Sequence, residues 1–224
     1  MKIVNQTVEA VIFDLDGVLV DTAKFHYLAW KEIANRINVN FNEIENEKLK
    51  GVSRSESLDI ILSLNQLSLD EKSKTRLLKD KNDIYLKLIA TLTEGDVLEG
   101  VNLLIERLKQ NKIKIALGSA SKNAGAILKA TKIDHHFDQV VDGTMVQNSK
   151  PDPEVFKTAA RLLGVEPNKC LVIEDASSGV EAALSAGMEV IGVGCNTQLA
   201  RASAVVDSLA QVKIIGDKAQ ILSA

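Results

Sequence analysis

The sequence predicts an α/β fold in which a doubly wound parallel sheet carries an inserted domain of α-helices. Short apolar runs alternate with helical patterns over residues 93–193, which is typical of a parallel sheet with helices on both faces. Another apolar run, at residues 11–13, precedes this region, and residues 21–92 between them show only helical patterning. We therefore expect a core domain at residues 1–19 and 93–224 and a helical cap domain at residues 20–92.

The cap helices are predicted from apolar residues that recur at helical spacing. Three groups of positions show this spacing: Phe25, Leu28, Ala29 and Ile33; Leu58, Ile61 and Leu62; and Leu77, Leu78, Ile84, Leu88 and Ile89. Asp21 or Thr22 is placed to cap the first helix, because either side chain can accept a hydrogen bond from a free N–H group. Hinges are expected near residues 18–21 and 92–96, where the chain leaves and re-enters the core.

The core elements after residue 100 follow from the same patterns. Predicted helices cover residues 101–110, 123–131, 153–164 and 177–187, and predicted strands cover residues 113–118, 140–141, 171–173 and 190–193. Gly164 and Gly187 are expected to end their helices, since glycine readily adopts the left-handed conformation found there.

The composition fits a soluble enzyme and argues against two classes of partner. Of the 224 residues, 46% are hydrophobic and 25% are charged, and the formal net charge is -3. Basic residues are dispersed, so neither nucleic acid nor an anionic membrane is an expected partner. No stretch approaches the roughly 18 to 20 apolar residues that a membrane span requires. We expect a cytoplasmic protein, and a monomer.

The strongest chemical signal follows the first predicted strand, where Asp14 and Asp16 are separated by one residue and Gly17 comes next. Ligands of open α/β sheets bind at the carboxyl ends of the strands, so both carboxylates are expected in that crevice. Two close negative charges require a cation between them or a shared proton, and Mg²⁺ prefers oxygen ligands. The pattern therefore indicates a metal site, a proton transfer or both. Two solvated acids at an ordinary strand end are the alternative.

Three further signals occur at later predicted strand ends. Glu174 and Asp175 repeat the pattern of an apolar strand followed by paired acids. The small hydroxyl-bearing residues that begin at Ser119 suit the binding of a phosphate by hydroxyl and backbone donors. Lys150 is a cation at a turn that Pro151 stiffens. Each of these patterns alone occurs more often in solvated surface structure than in a functional site. Their occurrence in this order, each near a predicted strand end, is a much stronger signal of a functional site.

The segment Asp14-Leu15-Asp16-Gly17, with Ser119, Lys150 and Glu174-Asp175, resembles the four motifs of the haloacid dehalogenase superfamily. Within that superfamily, the chain is similar to the β-phosphoglucomutase family from about residue 8 to about residue 194. The residues that carry this similarity are Thr22, His26, Trp30, residues 49–54, Ser57 and residues 119–123.

The resemblance implies a Rossmann-like core with a helical cap, and an isomerase. The implied reaction interconverts β-D-glucose 1-phosphate and D-glucose 6-phosphate through a phospho-aspartate enzyme and a glucose 1,6-bisphosphate intermediate. Small-molecule sugar phosphates are then the expected partners, and Mg²⁺ is the expected cofactor.

The resemblance also implies roles for catalytic residues. Asp14 is the expected nucleophile and Asp16 the expected general acid and base. Ser119 and Lys150 are expected to hold the transferring phosphoryl group. His26, one helical turn after Thr22, is expected to set Asp16 in place when the cap closes. The expected metal ligands are Asp14, the backbone carbonyl of Asp16, and one or both of Glu174 and Asp175.

A second phosphate is expected to bind between the cap and the core. Arg54 is suited to grip it, because a guanidinium forms two parallel bonds to phosphate. The expected substrate-binding residues are Trp30, Lys50, Gly51, Val52, Ser53, Arg54, Ser57, Lys81, Ser119, Ala120, Ser121, Lys122 and Asn123. A solvated loop and helix start is the alternative for residues 50–54, and a core position is the alternative for Trp30.

Two other functions remain open at this point. A sugar-phosphate phosphatase of the same superfamily has the same core motifs, and only residues 50–57 argue against it. A receiver module that signals by an aspartyl-phosphate also has paired acids, a hydroxyl residue and a lysine at strand ends. A receiver has no need of some seventy residues of helical cap, however.

Overall fold

The computed structural model describes residues 2–3, 7–215 and 218–221 of the chain, which contain two β-sheets. The strands are β1 (Lys2–Ile3), β2 (Ala10–Phe13), β3 (Lys114–Gly118), β4 (Gln139–Val141), β5 (Cys170–Glu174), β6 (Glu189–Val193), β7 (Ala204–Val206), β8 (Val212–Ile215) and β9 (Lys218–Ile221). The larger sheet has six parallel strands in the order β4-β3-β2-β5-β6-β7. The smaller sheet is antiparallel, with the order β1-β9-β8.

The α-helices lie in the cap region and on both faces of the parallel sheet. They are α1 (Ala23–Arg36), α2 (Glu43–Glu47), α3 (Arg54–Leu64), α4 (Glu71–Ile89), α5 (Val101–Gln110), α6 (Ala124–Ala130), α7 (Glu154–Leu163) and α8 (Ser177–Ser185). Strand β2 shows how the two faces are filled, because successive side chains point to opposite sides. Val11 and Phe13 pack with residues of α5 and α6, whereas Ala10 and Ile12 pack with residues of α7 and α8. The predicted doubly wound α/β fold is confirmed.

The predicted core elements all occur, with ends that differ by a few residues at most. Gly164 ends α7 in the left-handed conformation, with φ of 65°, and Gly187 follows α8 with φ of 79°. No strand or helix was predicted after residue 193, so β7, β8 and β9 were missed, and so was β1. These strands are short, and β1 pairs with β9 from the other end of the chain.

The cap region contains α1 to α4 and has its own apolar cluster, in which Trp30, Phe41 and Ile61 are buried. Thr22 is the residue that precedes α1, but its side chain makes no capping hydrogen bond. Its hydroxyl donates instead to the Asp16 carboxylate. The boundaries of the core and cap domains stay a prediction, and residues 1, 4–6, 216–217 and 222–224 of the predicted core lie outside the described residues.

The strand register brings the candidate site residues together. Phe13 is paired with Leu117 on β3 and with Ile173 on β5. Since the three strands are parallel, the residues that follow these positions emerge at one edge of the sheet. Asp14, Ser119 and Glu174 therefore lie at the same edge, below the cap.

No helix in the described ranges combines the length and the apolar character that crossing a membrane requires.

Candidate active site

A cavity of about 950 Å³ lies between the carboxyl edge of the sheet and the cap. Asp14, Asp16 and Lys150 line it from the core, and His26 and Lys81 line it from the cap. The volume is within the range of sites that bind small molecules. The fold thus forms a cleft in which polar groups of the core face groups of the cap.

Lys150 links two of the predicted carboxylates at the floor of the site. Its side chain is 0% exposed, and Nζ donates to Asp14 Oδ1 at 2.5 Å and to Glu174 Oε1 at 3.1 Å. Burial by itself lowers the pKa of Lys150, but the charges of Asp14 and Glu174 outweigh this effect and hold the pKa above its ordinary value. The ammonium group is therefore a fixed positive charge beside the predicted nucleophile.

Asp14, Glu174 and Asp175 form a cluster whose ligand atoms lie within 4.8 Å of one another. Burial, followed by neighbouring carboxylates, raises the pKa of Glu174 to about 8 and that of Asp175 to about 7. Burial also raises the pKa of Asp14, an effect that Lys150 offsets only in part. The three groups are thus difficult to ionise together, even with Lys150 and Lys50 beside them.

A divalent cation fits this donor set, because it supplies the missing positive charge to hard oxygen ligands. Glycine keeps the backbone clear of these oxygens, since a Cβ at Gly179 would overlap the Glu174 carboxylate and one at Gly17 would overlap that of Asp175. The carboxylate of Asp16 does not belong to the cluster. Its predicted metal contact concerns the backbone oxygen and stays a prediction.

Asp16 has surroundings that differ from those of Asp14. It accepts a hydrogen bond from the buried hydroxyl of Thr22, and Oδ1 lies 3.6 Å from His26 Nε2, which is beyond hydrogen-bond length. Burial raises the pKa of Asp16, but the combined effects of His26, Thr22 and Lys81 outweigh it, so the pKa lies below its ordinary value. The two aspartates therefore have pKa values shifted in opposite directions, although only one residue separates them in the chain.

Lys81 contacts the histidine from the opposite side. Its Nζ lies 2.9 Å from His26 Nδ1, and it sits over the rings of Trp30 and Tyr85 at 5.1 and 4.5 Å from their centroids. Burial, with the charge of Arg54, lowers the pKa of Lys81 to about 7. Burial, followed by the charge of Lys81, also lowers the pKa of His26. The pair thus links the cap helices α1 and α4 to Asp16.

Tyr85 was missed by the sequence analysis. It is buried, its ring lies 4.2 Å from that of His26, and its hydroxyl has no hydrogen-bond partner among the described residues. The available signal was its position one helical turn after Lys81, on the same face of α4. Asn82 was also missed, and it accepts a hydrogen bond from Asn123 Nδ2 at 3.0 Å.

Residues 50–54 form the lip of the cavity on the cap side. The Lys50 ammonium lies 3.0 Å from Glu47 Oε2 and 3.4 Å from Asp175 Oδ2. Gly51 has φ of 75°, a conformation that favours glycine. Arg54 is the first residue of α3, and its Nη1 donates to the Leu78 carbonyl at 3.4 Å.

The serines of this segment are engaged in local structure. Ser53 caps α3 in a capping box with Glu56, and the Ser57 hydroxyl donates to the Ser53 carbonyl at 2.9 Å. Both residues still line the cavity, as Val52 does. Their contacts with a substrate stay a prediction.

On the core side, the loop after β3 turns into the cavity. Ala120, Ser121, Lys122 and Asn123 line it. Ser119 is 1% exposed and lies beneath this surface, and its hydroxyl accepts a hydrogen bond from the Ser121 N–H at 3.1 Å. The structure thus brings the predicted catalytic, metal and substrate residues to one region. Their individual roles stay predictions.

Comparisons with known proteins agree with this geometry. Beta-phosphoglucomutase of Bacillus subtilis is 46% identical over 200 residues, which cover 88% of each chain. The crystal structure of a beta-phosphoglucomutase from Clostridium difficile has a TM-score of 0.89 and 45% identity, and the match covers 92% of this chain and 93% of that one. A phosphorylated carbohydrates phosphatase of Thermotoga maritima is 36% identical, over 82% of this chain and 83% of its own.

The resemblance noted in the sequence is confirmed at the level of the family. The family model described as haloacid dehalogenase-like hydrolase matches residues 11–193, a range that includes the four motifs and the whole cap. The chain belongs to the haloacid dehalogenase-like hydrolase family.

Proposed function

We propose that this chain is a β-phosphoglucomutase that interconverts β-D-glucose 1-phosphate and D-glucose 6-phosphate. The relatives of that name support the proposal. The observation that carries it within the structure is a pair of cations, Arg54 on the cap and Lys122 on the core, that line the cavity. Among the described residues no carboxylate forms an ion pair with either of them, and the Arg54 guanidinium donates to the Leu78 carbonyl. They are available to hold a phosphate that is not being transferred, while Lys150 lies beside Asp14.

In the proposed reaction, phosphorylated Asp14 transfers its phosphoryl group to the 6-hydroxyl of the sugar. The bond from phosphorus to the Asp14 oxygen breaks, a bond to the sugar oxygen forms, and the hydroxyl proton passes to Asp16. The lowered pKa of Asp16 favours the ionised form that accepts this proton.

The bisphosphate then presents its other phosphoryl group. Asp14 attacks that phosphorus, the bond from phosphorus to the 1-oxygen breaks, and Asp16 returns its proton to that oxygen. Lys150 supplies fixed positive charge beside the transferring group in both halves of the cycle.

The proposed cofactor is Mg²⁺, held by Asp14, Glu174, Asp175 and the backbone oxygen of Asp16. When bound, such a cation offsets the repulsion between the carboxylates and the phosphate and polarises the phosphoryl oxygens. Glu174 also accepts the Asp175 N–H at 2.8 Å, which orients its carboxylate toward the cluster. We also propose that the enzyme is cytoplasmic and monomeric.

The proposal is tested by product analysis. The protein is incubated with β-glucose 1-phosphate, Mg²⁺ and a trace of glucose 1,6-bisphosphate, and glucose 6-phosphate and inorganic phosphate are measured. We expect glucose 6-phosphate as the main product, loss of turnover with a chelator, and recovery on adding Mg²⁺. Phosphate release without glucose 6-phosphate would overturn the proposal in favour of the second candidate, a sugar-phosphate phosphatase, which the Thermotoga maritima relative favours.

Replacing Arg54 with alanine separates the two candidates further. Hydrogen bonds to charged groups contribute about 1.5 to 3 kcal/mol, so we expect mutase efficiency to fall by about ten- to a hundredfold or more. Acetyl phosphate carries no second phosphate for Arg54 to bind, so the rate at which it phosphorylates Asp14 should change far less. The measurement compares the two rates in Arg54→Ala.

Arg76→Ala is the matched control for this prediction, because Arg76 is an exposed arginine of the same cap region that does not line the cavity. It should leave both rates unchanged. Equal losses of both rates in Arg54→Ala, with the fold intact, would contradict the role of Arg54 as a clamp for the distal phosphate.

A further inference from the structure

Ser178, near the start of α8, joins the core directly to the cap. Its hydroxyl donates to the backbone carbonyl of Lys50 at 2.9 Å. The approach is close, because a Cβ added at Gly51 would overlap the Ser178 hydroxyl. Neither the sequence motifs nor the proposed chemistry assigns a role to Ser178. Its contact nevertheless lies at the lip of the cavity.

The side chain of Lys50 is held to the core as well. Its ammonium is 3.4 Å from Asp175, which follows β5 and lies three residues before Ser178. The lip is therefore attached to the core at two points, the carbonyl and the ammonium of one residue.

These attachments act on residues that close the cavity. Lys50, Gly51 and Arg54 all line it. A Cβ added at Gly51 would lie 3.6 Å from Cδ of the Lys150 side chain. Holding the Lys50 carbonyl thus places the lip over the floor of the site. Releasing it would widen the access of water to Asp14.

We propose that Ser178 is a positioning residue that keeps the cap lip closed and thereby limits hydrolysis of phosphorylated Asp14. This inference rests on the proposed function. Two nucleophiles compete for the same phosphorus. If the sugar hydroxyl attacks, its proton goes to Asp16 and the phosphoryl group stays on the sugar. If water attacks, its proton also goes to Asp16, the bond to Asp14 breaks, and inorganic phosphate leaves.

The test replaces Ser178 with alanine and measures inorganic phosphate released per glucose 6-phosphate formed. The loss of one ordinary hydrogen bond changes an equilibrium constant by about two- to tenfold. We expect the ratio to rise by a similar factor, because the lip opens more often. A ratio of products does not depend on how much of the protein is folded, so a general loss of stability would not reproduce the effect.

The neighbouring serine provides a matched control. Ser177 is exposed and its side chain makes no hydrogen bond within the described residues, so Ser177→Ala should keep the wild-type ratio. A second measurement uses Trp30, the single tryptophan, which lines the cavity and is 2% exposed. Acrylamide should quench its fluorescence more strongly in Ser178→Ala than in Ser177→Ala.

The outcomes separate this inference from the proposed function. If the wild-type protein forms no glucose 6-phosphate, the proposed function fails, whatever the quenching shows. If the wild type isomerises the sugar phosphate and Ser178→Ala keeps both its product ratio and its quenching, the positioning role of Ser178 is wrong.

Discussion

Replacing Asp14 with asparagine is expected to remove mutase activity. The amide is close in size to the carboxylate, so the packing around Lys150 at the floor of the site should change little. The substitution removes the negative charge that Lys150 contacts. An amide neither attacks phosphorus nor carries a stable phosphoryl group. Loss of a nucleophile lowers turnover by about four to six orders of magnitude. The measurements are kcat and the incorporation of radiolabelled phosphate from acetyl phosphate, both of which should fall to background.

Asp138→Asn is a suitable control for this prediction. Asp138 is exposed, accepts a hydrogen bond from the Ile115 N–H of β3 and does not line the cavity, so its replacement should leave the chemistry unchanged. It should keep its turnover per folded molecule. Full turnover in an Asp14→Asn preparation free of wild-type enzyme would show that another group is the nucleophile.

The second large effect is expected for Asp16→Asn. Asparagine can still accept the hydrogen bond from Thr22, and the Asp16 carboxylate is not part of the cluster of metal-ligating groups. Folding and metal binding should therefore persist. The side chain no longer exchanges a proton with the sugar oxygens, so turnover should fall by about two to four orders of magnitude.

The need for Asp16 depends on whether the leaving group must be protonated. Acetate leaves acetyl phosphate without being protonated, so phosphorylation of Asp14 by that donor should decline much less than isomerisation. Asp21→Asn is the control, because Asp21 lies in the predicted hinge that follows Asp16, and it is half-exposed and paired with Lys24. Equal losses for both phosphoryl donors, or loss of the circular dichroism spectrum, would remove Asp16 from the role of general acid and base.

Much of the fold could be predicted because its elements have strong local signals. Apolar periodicity located α5, α7 and α8 to within a few residues. The apolar runs of β2 and β5 are buried on both faces of the sheet, so they read as continuous hydrophobic segments. The strands β7 to β9 have three or four residues each. Runs of three or four residues carry little pattern of their own, and β9 also pairs with β1, from the other end of the chain.

The candidate site shows the same division. Asp14, Lys150 and Glu174 were predicted to meet because parallel strands end at a common edge, and the structure brings them into contact. The contacts of Tyr85, Asn82 and Ser178 were not predicted. Each of them arises where a cap helix or loop meets another element, and no local pattern encodes that meeting.

The sequence by itself determined the fold class, the order of the four motifs and the chemical type of the site, because these follow from hydrophobic periodicity and from charged residues at strand ends. Only the tertiary structure decided how the cap sits on the core. It placed Lys81 against His26 and the Ser178 hydroxyl against the Lys50 carbonyl. It also shifted the pKa values of Asp14 and Asp16 in opposite directions. The physical reason is that burial and the distances between charges depend on the packing of segments far apart in the chain.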